Sequence, residues 1–254
     1  MNGKVVIVTG GSSGMGKYMA KRFVSEGANV VITGRRADAL EEAKREIAAP
    51  DGGRVLTVPM DVRNPEQVAE MVGRADAEFG RIDALVNNAA GNFIFPAEKL
   101  SINGWNSVIN IVLNGTFYCS REVGNYWVQR GLRKYPQHYC DVRLARWRRG
   151  HSFSERQGWS AGNDAHACCG MGKKYGFRVN AIAPGPIERT GGAERLWESE
   201  EAERMTLESV PLGRLGTPEE IVAVASFLLS DEAAYINGAC ITVDGGQWLN
   251  RRPF

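Results

Sequence analysis

Short unbroken runs of apolar residues recur along the chain, and most are followed by a stretch with helical spacing. Val5, Val6, Ile7 and Val8 run without a polar break, which suits a strand buried on both faces of a parallel sheet. After a glycine-rich turn, Lys17 to Glu26 predicts a helix with Met19, Ala20, Phe23 and Val24 on one side. Asn29 to Thr33 is a second strand, and Ala37 to Ala49 a helix that turns Leu40, Ala43 and Ile47 inward. Arg54 to Pro59 is a third strand. Pro65 then opens a helix to Phe79, at the position where its missing N–H costs nothing. Ile82 to Val86 is a fourth strand, and a long helical pattern covers Gly104 to Arg130. Arg178 to Ala183 predicts another strand, Pro218 to Leu229 a helix capped by Thr217, and Ala239 to Val243 a last strand.

Strands that are short, apolar and alternate with helices predict a Rossmann-type doubly wound parallel sheet, an α/β fold. With 254 residues and no linker, repeat or low-complexity tract, one domain over 1–254 is expected. A hydrophobic share of 43% suffices for a sizeable core, and a net charge of +2 gives no global pointer to nucleic acid or membrane. No apolar run reaches transmembrane length, and the chain enters a strand directly, so neither a membrane span nor a signal peptide is expected. Five cysteines without a disulfide-like framework agree with a reducing compartment, so the expected location is cytoplasmic.

In open α/β sheets ligands bind beyond the carboxyl ends of the strands, and the distinctive residues of this chain gather there. Gly10, Gly14 and Gly16 follow Thr9 at the end of the first strand. Missing side chains let the backbone approach a pyrophosphate, whose charge the free N–H groups and the helix dipole favour. This predicts nucleotide binding, against the plainer reading of a tight strand-to-helix turn. At the end of the second strand, where an acidic residue would bind a ribose hydroxyl, the chain has Arg35 and Arg36, with no carboxylate until Asp38. Guanidinium groups suit a 2′-phosphate through paired, charge-assisted bonds, so NADP(H) is the expected cofactor; the plain alternative is a solvated basic loop.

The spacing of Thr9, Gly10, Gly14 and Gly16 resembles the TGxxxGxG motif of the short-chain dehydrogenase/reductase family. Asp61-Val62 is similar to its adenine-binding pair, Asn87-Asn88-Ala89-Ala90-Gly91 to its NNAG motif, and Pro184-Gly185-Pro186-Ile187 to its PGP turn near the nicotinamide. The resemblance implies cofactor contacts at Gly10, Ser12, Ser13, Gly14, Gly16, Arg35, Arg36, Asp61, Val62, Asn88, Ala89, Gly91, Pro184, Gly185 and Ile187. Within the family, GNFIFPAEKLS leading to Trp105, Ile111 to Thr116 (IVLNGT), PGPIERTGG, PLGRLGTPEE and SDEAAYINGA resemble the 2,4-dienoyl-CoA reductases of unsaturated fatty-acid oxidation. That implies an acyl-CoA substrate, NADPH as hydride source, and a hydrogen-bond donor for the dienolate that forms on the thioester oxygen. Common members carry Asn where this chain has Val112; by resemblance Asn114, displaced by two, belongs to the donor network as the catalytic candidate. Read alone, Asn114 is equally a helix-interior amide bonded to its own backbone. The resemblance also implies a homotetramer. The nearest alternatives are another NADP-dependent short-chain reductase, acting on a 3-oxoacyl thioester, a sugar or an alcohol, and a nucleotide-binding chain without activity.

The stretch 132–171 departs from this pattern. It holds all three histidines (His138, His151, His166) and three of the five cysteines (Cys140, Cys168, Cys169). Seven Lys or Arg against three Asp or Glu leave it at +4, so the remainder of the chain carries −2. The family places a catalytic Tyr and Lys here, on a strand and the helix after it, and no Tyr of this chain is followed by Lys four residues on. His166, Cys168 and Cys169 match no zinc spacing, so no metal is expected. Arg143, Arg146, Arg148 and Arg149 have no support elsewhere for nucleic-acid binding. A surface insertion fails on length. A shifted reading frame fits: Gln137 to Asp141 can be written CAA CAT TAT TGC GAC, and dropping one base gives N-I-I-A-T. The same shift allows Y-A-W-L-A-G over Val142 to Trp147, H-S-A-S-A-K-A-G over Ser152 to Trp159, and an amphipathic helix up to Met171. Frame loss near Arg133 and recovery near Gly172 would account for it. As written, the stretch is expected to lack the fifth strand, because a polar, Arg-rich segment fills a buried slot only at the cost of unpaired charge.

Overall fold

The computed structural model describes residues 1–91, 99–130, 175–190 and 200–250, and the backbone of 140–144. Seven strands form one parallel sheet: β1 (Val5–Val8), β2 (Asn29–Gly34), β3 (Val55–Pro59), β4 (Ala84–Asn87), β5 (Cys140–Leu144), β6 (Arg178–Pro184) and β7 (Cys240–Val243), in the order β3-β2-β1-β4-β5-β6-β7. Winding starts at β1, runs outward to β3 and returns to β4 beside β1, so the β1/β4 seam is the switch point of the doubly wound sheet.

The helices are α1 (Gly14–Ser25), α2 (Ala37–Ile47), α3 (Pro65–Phe79), α4 (Ile102–Ile109), α5 (Thr116–Gln129), α6 (Glu200–Glu208) and α7 (Pro218–Leu229). Alternation along the strands divides the core. Val6, Val8, Val30, Ile32 and Val86 face α1, α2 and α7, where they meet Phe23, Leu40 and Ile221. Ile7, Val31 and Leu85 face α3 and α5, against Met71, Val123 and Trp127. Helix starts follow the sequence. The Asn64 side chain accepts from the Gln67 N–H at 3.0 Å ahead of Pro65. Thr217 and Glu220 make a reciprocal box ahead of Pro218, with the Thr217 N–H donating to Glu220 at 2.8 Å.

Two expectations need correction. The long helix is two α-helices joined by a π-helical turn, Asn110–Gly115. The fifth strand is not lost: the backbone of Cys140–Leu144 pairs in parallel with β4 (Ala84 opposite Cys140) and with β6 (Cys140 opposite Arg178). Strands β4 and β6 both turn ladder donors and acceptors toward this slot, and an intervening backbone satisfies them whatever side chains it carries. The remainder of 132–171 lies outside the described residues, as do the NFIFPAE run at 92–98 and Gly192.

A clasp of hydrogen bonds closes the seam. The buried Thr9 hydroxyl accepts from the Asn88 N–H at 3.0 Å and the Ala89 N–H at 2.9 Å, and donates to Val86 O at 3.3 Å. Asn88 Nδ2 donates to Thr9 O at 2.9 Å and Gly10 O at 3.2 Å. Thr9→Val keeps the shape and strands the two N–H groups, so a loss of about 1–3 kcal/mol in urea unfolding is expected. Thr9→Ser, which keeps the oxygen, is expected to lose less.

Candidate functional site

The loops after β1, β2, β3, β4 and β6, which carry the expected cofactor positions, leave the same end of the sheet. The loop from Thr9 to Gly16 passes from β1 into α1. Its main chain crosses Asn88 so closely that a Cβ on Gly16 would lie 2.4 Å from Gly10 O and 2.5 Å from Asn88 Nδ2. Gly10 and Gly14 have φ of +65° and +51°, the left-handed region that favours glycine. A Cβ on Gly14 would meet nothing within 4 Å, so the surface above the first turn of α1 is open. Ser13 is the exposed N-cap, its side chain makes no capping bond, and the first turn holds no acidic residue. Open N–H groups at the positive end of a 12-residue helix suit an anion. Ser12 Oγ lies beside Gly34 at the end of β2, and the Gly11 N–H donates to Thr33 O at 3.0 Å, which ties this loop to the next strand end.

Arg35 and Arg36 follow β2 and are both exposed. The Met60 N–H donates to Gly34 O at 2.8 Å, so Asp61 and Val62, after β3, leave the sheet next to them. Asp61 is half-buried and Val62 buried. The Arg63 side chain hydrogen-bonds the Asp61 carboxylate and holds it below the usual carboxylate range. Sequence reasoning missed Arg63, because its partner is its own neighbour and no spacing marks it.

Asn114 lies in the π-helical turn, with its Nδ2 donating to Asn110 Oδ1 at 2.8 Å. The amide is thus bonded to a side chain, not to its own backbone. Two close approaches seat the turn. A Cβ on Gly115 would be 2.7 Å from Val62, and one on Gly91 would be 2.9 Å from Ile111. The turn therefore rests on the loop after β3 at one end and on the loop after β4 at the other. Across the sheet, Gly185 N–H donates to Val243 O at 3.0 Å, and a Cβ on Gly185 would strike Asp244 at 2.7 Å. Pro184 ends β6, and buried Ile187 pairs with Gly216. The structure thus brings all the sequence-derived positions to one rim, with Arg35, Arg36 and Asp61 toward its β3 edge, Gly14 near the centre and Ile187 beyond β6. Among the described residues no group of His, Cys, Asp and Glu is arranged to hold a metal ion, and no helix is long and apolar enough to cross a membrane.

Comparison with known proteins gives a consistent result. The profile of the family described as short chain dehydrogenase matches residues 4–132, and that described as Enoyl-(Acyl carrier protein) reductase matches residues 165–247. The chain is 54% identical over 269 aligned positions, covering all of both proteins, to a protein of Bacillus subtilis (strain 168) named probable 2,4-dienoyl-CoA reductase [(2E)-enoyl-CoA-producing]. It is similar to the crystal structure of a short chain dehydrogenase from Bacillus anthracis, with a TM-score of 0.87, 53% identity and 99% of each chain covered. A 3-ketoacyl-(acyl-carrier-protein) reductase from Brucella melitensis, solved in complex with NADH, has a TM-score of 0.86 at 28% identity, with 97% of this chain and 98% of that one covered.

Proposed function

This chain belongs to the short-chain dehydrogenase family of oxidoreductases, and within it we propose NADPH-dependent reduction of 2,4-dienoyl-CoA thioesters in the β-oxidation of unsaturated fatty acids. The observation that carries this reading is the similarity, over the whole of both chains, to the B. subtilis protein of that name. The rim geometry supports it. The first turn of α1 offers open N–H groups to a pyrophosphate, with Ser12 and Ser13 at its edge and Gly10, Gly14 and Gly16 keeping the approach clear. Arg35 and Arg36 are exposed where a 2′-phosphate would lie, Asp61 and Val62 border the adenine, and Asn88, Ala89 and Gly91 flank the middle of the cofactor. Pro184, Gly185 and Ile187 shape the nicotinamide end. The bound cofactor supplies the hydride. An Asn amide has two N–H donors. Asn114 gives one to Asn110 and keeps the second for the thioester oxygen, where negative charge develops. A cytoplasmic setting belongs to the same reading.

The catalytic Tyr and Lys are the part the written chain lacks. We assign this to a shifted reading frame over 132–171. The two family profiles support the assignment, since one stops at residue 132 and the other resumes at 165. In this reading the written chain keeps the cofactor half and binds nucleotide without turnover, and the reframed chain is the tetrameric enzyme.

Three measurements test this. Replacing Arg35 and Arg36 with Ala is expected to remove most of the preference for NADPH over NADH. A charged pair to phosphate contributes about 1.5–3 kcal/mol, or about ten- to a hundredfold in affinity. Equal affinity in the unaltered protein would sink the cofactor choice. Gly14→Val sets a branched side chain, in a strained left-handed backbone, where the pyrophosphate would approach. It is expected to abolish NADPH binding in a protein that still folds, and normal binding would refute the loop assignment. Finally, the written and reframed polypeptides are compared by NADPH oxidation on a dienoyl-CoA and by light scattering. Activity and tetramer assembly are expected for the reframed chain alone; a written chain that is a fully active tetramer would overturn the frame-shift reading.

A further inference from the structure

The corner where β2 and β3 end brings the guanidinium groups of Arg63 and Arg35 to the Asp61 carboxylate, with Arg36 next along the chain from Arg35. Arg35 and Arg36 leave β2 beside the start of the Asp61 loop, because Gly34 is in register with Pro59 and accepts from the Met60 N–H at 2.8 Å. Among the described residues neither Arg35 nor Arg36 enters an ion pair. The third cation, Arg63, is committed to the acid. Its Nε donates to both Asp61 oxygens at 3.0 Å, and its terminal nitrogen donates to Oδ2 at 2.5 Å. The main chain of this loop is held by other bonds. The Asp61 N–H donates to Gln67 Oε1 at 2.7 Å, the Asn64 N–H donates to Asp61 O at 3.0 Å, and the Arg63 main-chain N–H donates to Asp61 Oδ1 at 3.0 Å. The guanidinium of Arg63 is therefore redundant as a brace, and its main effect is on charge.

A bare carboxylate at this place would repel a dianionic phosphate arriving at Arg35 and Arg36, and a paired one does so much less. We infer that Arg63 is a specificity-determining residue: by neutralising Asp61 it favours a cofactor with a 2′-phosphate over one with a free ribose hydroxyl, without itself binding that phosphate. The inference rests on the NADP(H) assignment above and adds a residue outside the family's motif to it. Asp38, the other acid of this corner, lies in the first turn of α2, where the helix dipole offsets its charge.

The test is titration of the full-length chain with NADPH and with NADH, followed by cofactor fluorescence, which needs no turnover. Arg63→Ala is expected to weaken NADPH binding about five- to tenfold and to change NADH binding less than about twofold. Raised salt is expected to shrink that difference. Arg63→Lys is expected to keep most of the preference, and it also serves if the Ala variant does not fold. Adding Asp61→Asn to Arg63→Ala is expected to restore the ratio of the two affinities. Equal losses for both cofactors would overturn the inference and make Arg63 a loop brace. Failure of the double variant to restore the ratio would overturn it in favour of direct contact with the phosphate. An undiminished preference in Arg63→Ala overturns this inference alone, whereas equal affinities in the unaltered protein overturn the NADP(H) assignment and this inference together.

Discussion

One hydroxyl at the switch point sets where the loops of the rim begin. Thr9 ends β1, and its oxygen takes the two N–H groups with which the chain leaves β4. The Asn88 amide returns the contact by bonding Thr9 O and Gly10 O. The glycine loop therefore has a fixed height above the sheet before α1 starts, and Gly16 can pass only as glycine because Asn88 fills the space beneath it. The Gly11 bond to Thr33 O carries the same constraint to β2. A chain of short polar contacts, each using a donor or acceptor released at a strand end, thus aligns three loops that are far apart in sequence.

Much of this was legible in the residues. The strands at Val5 and Asn29 are largely apolar runs that little else could bury, and Pro65 and Thr217 mark helix starts by local chemistry. Strand-end motifs were readable because glycine, proline and paired Asn have few reasons to be there apart from backbone geometry. The π-helical turn was not legible. Its seating depends on Val62 and on Gly91, both remote in sequence, while its own residues carry an ordinary helical pattern. Helix α6 was missed because only Ala202, Met205 and Leu207 of its nine residues are apolar. Arg63 was missed because a local ion pair leaves no mark on spacing.

The fifth strand shows what side-chain pattern and backbone demand each decide. CDVRL reads poorly as a buried strand, yet its backbone completes the ladder between β4 and β6. Ladder bonds belong to the peptide group and are indifferent to side-chain identity, so a slot flanked by two well-formed strands recruits a backbone of either character. Charge and chemistry are not recruited in this way. A segment can therefore keep its place in the topology while losing the groups that the reaction requires.

The contact between Gly115 and Val62 joins the two halves of the rim mechanically. Most helix-to-loop contacts pass through side chains, which absorb a displacement by changing rotamer. Here one side of the contact is bare backbone, and the other is a β-branched residue that is stiff at χ1. A shift of the loop after β3 has no side chain at position 115 to take it up and is passed to the helix itself, one residue from Asn114. The loop after β3 and the Asn114 amide thus move as parts of one lever, with Gly115 as its bearing.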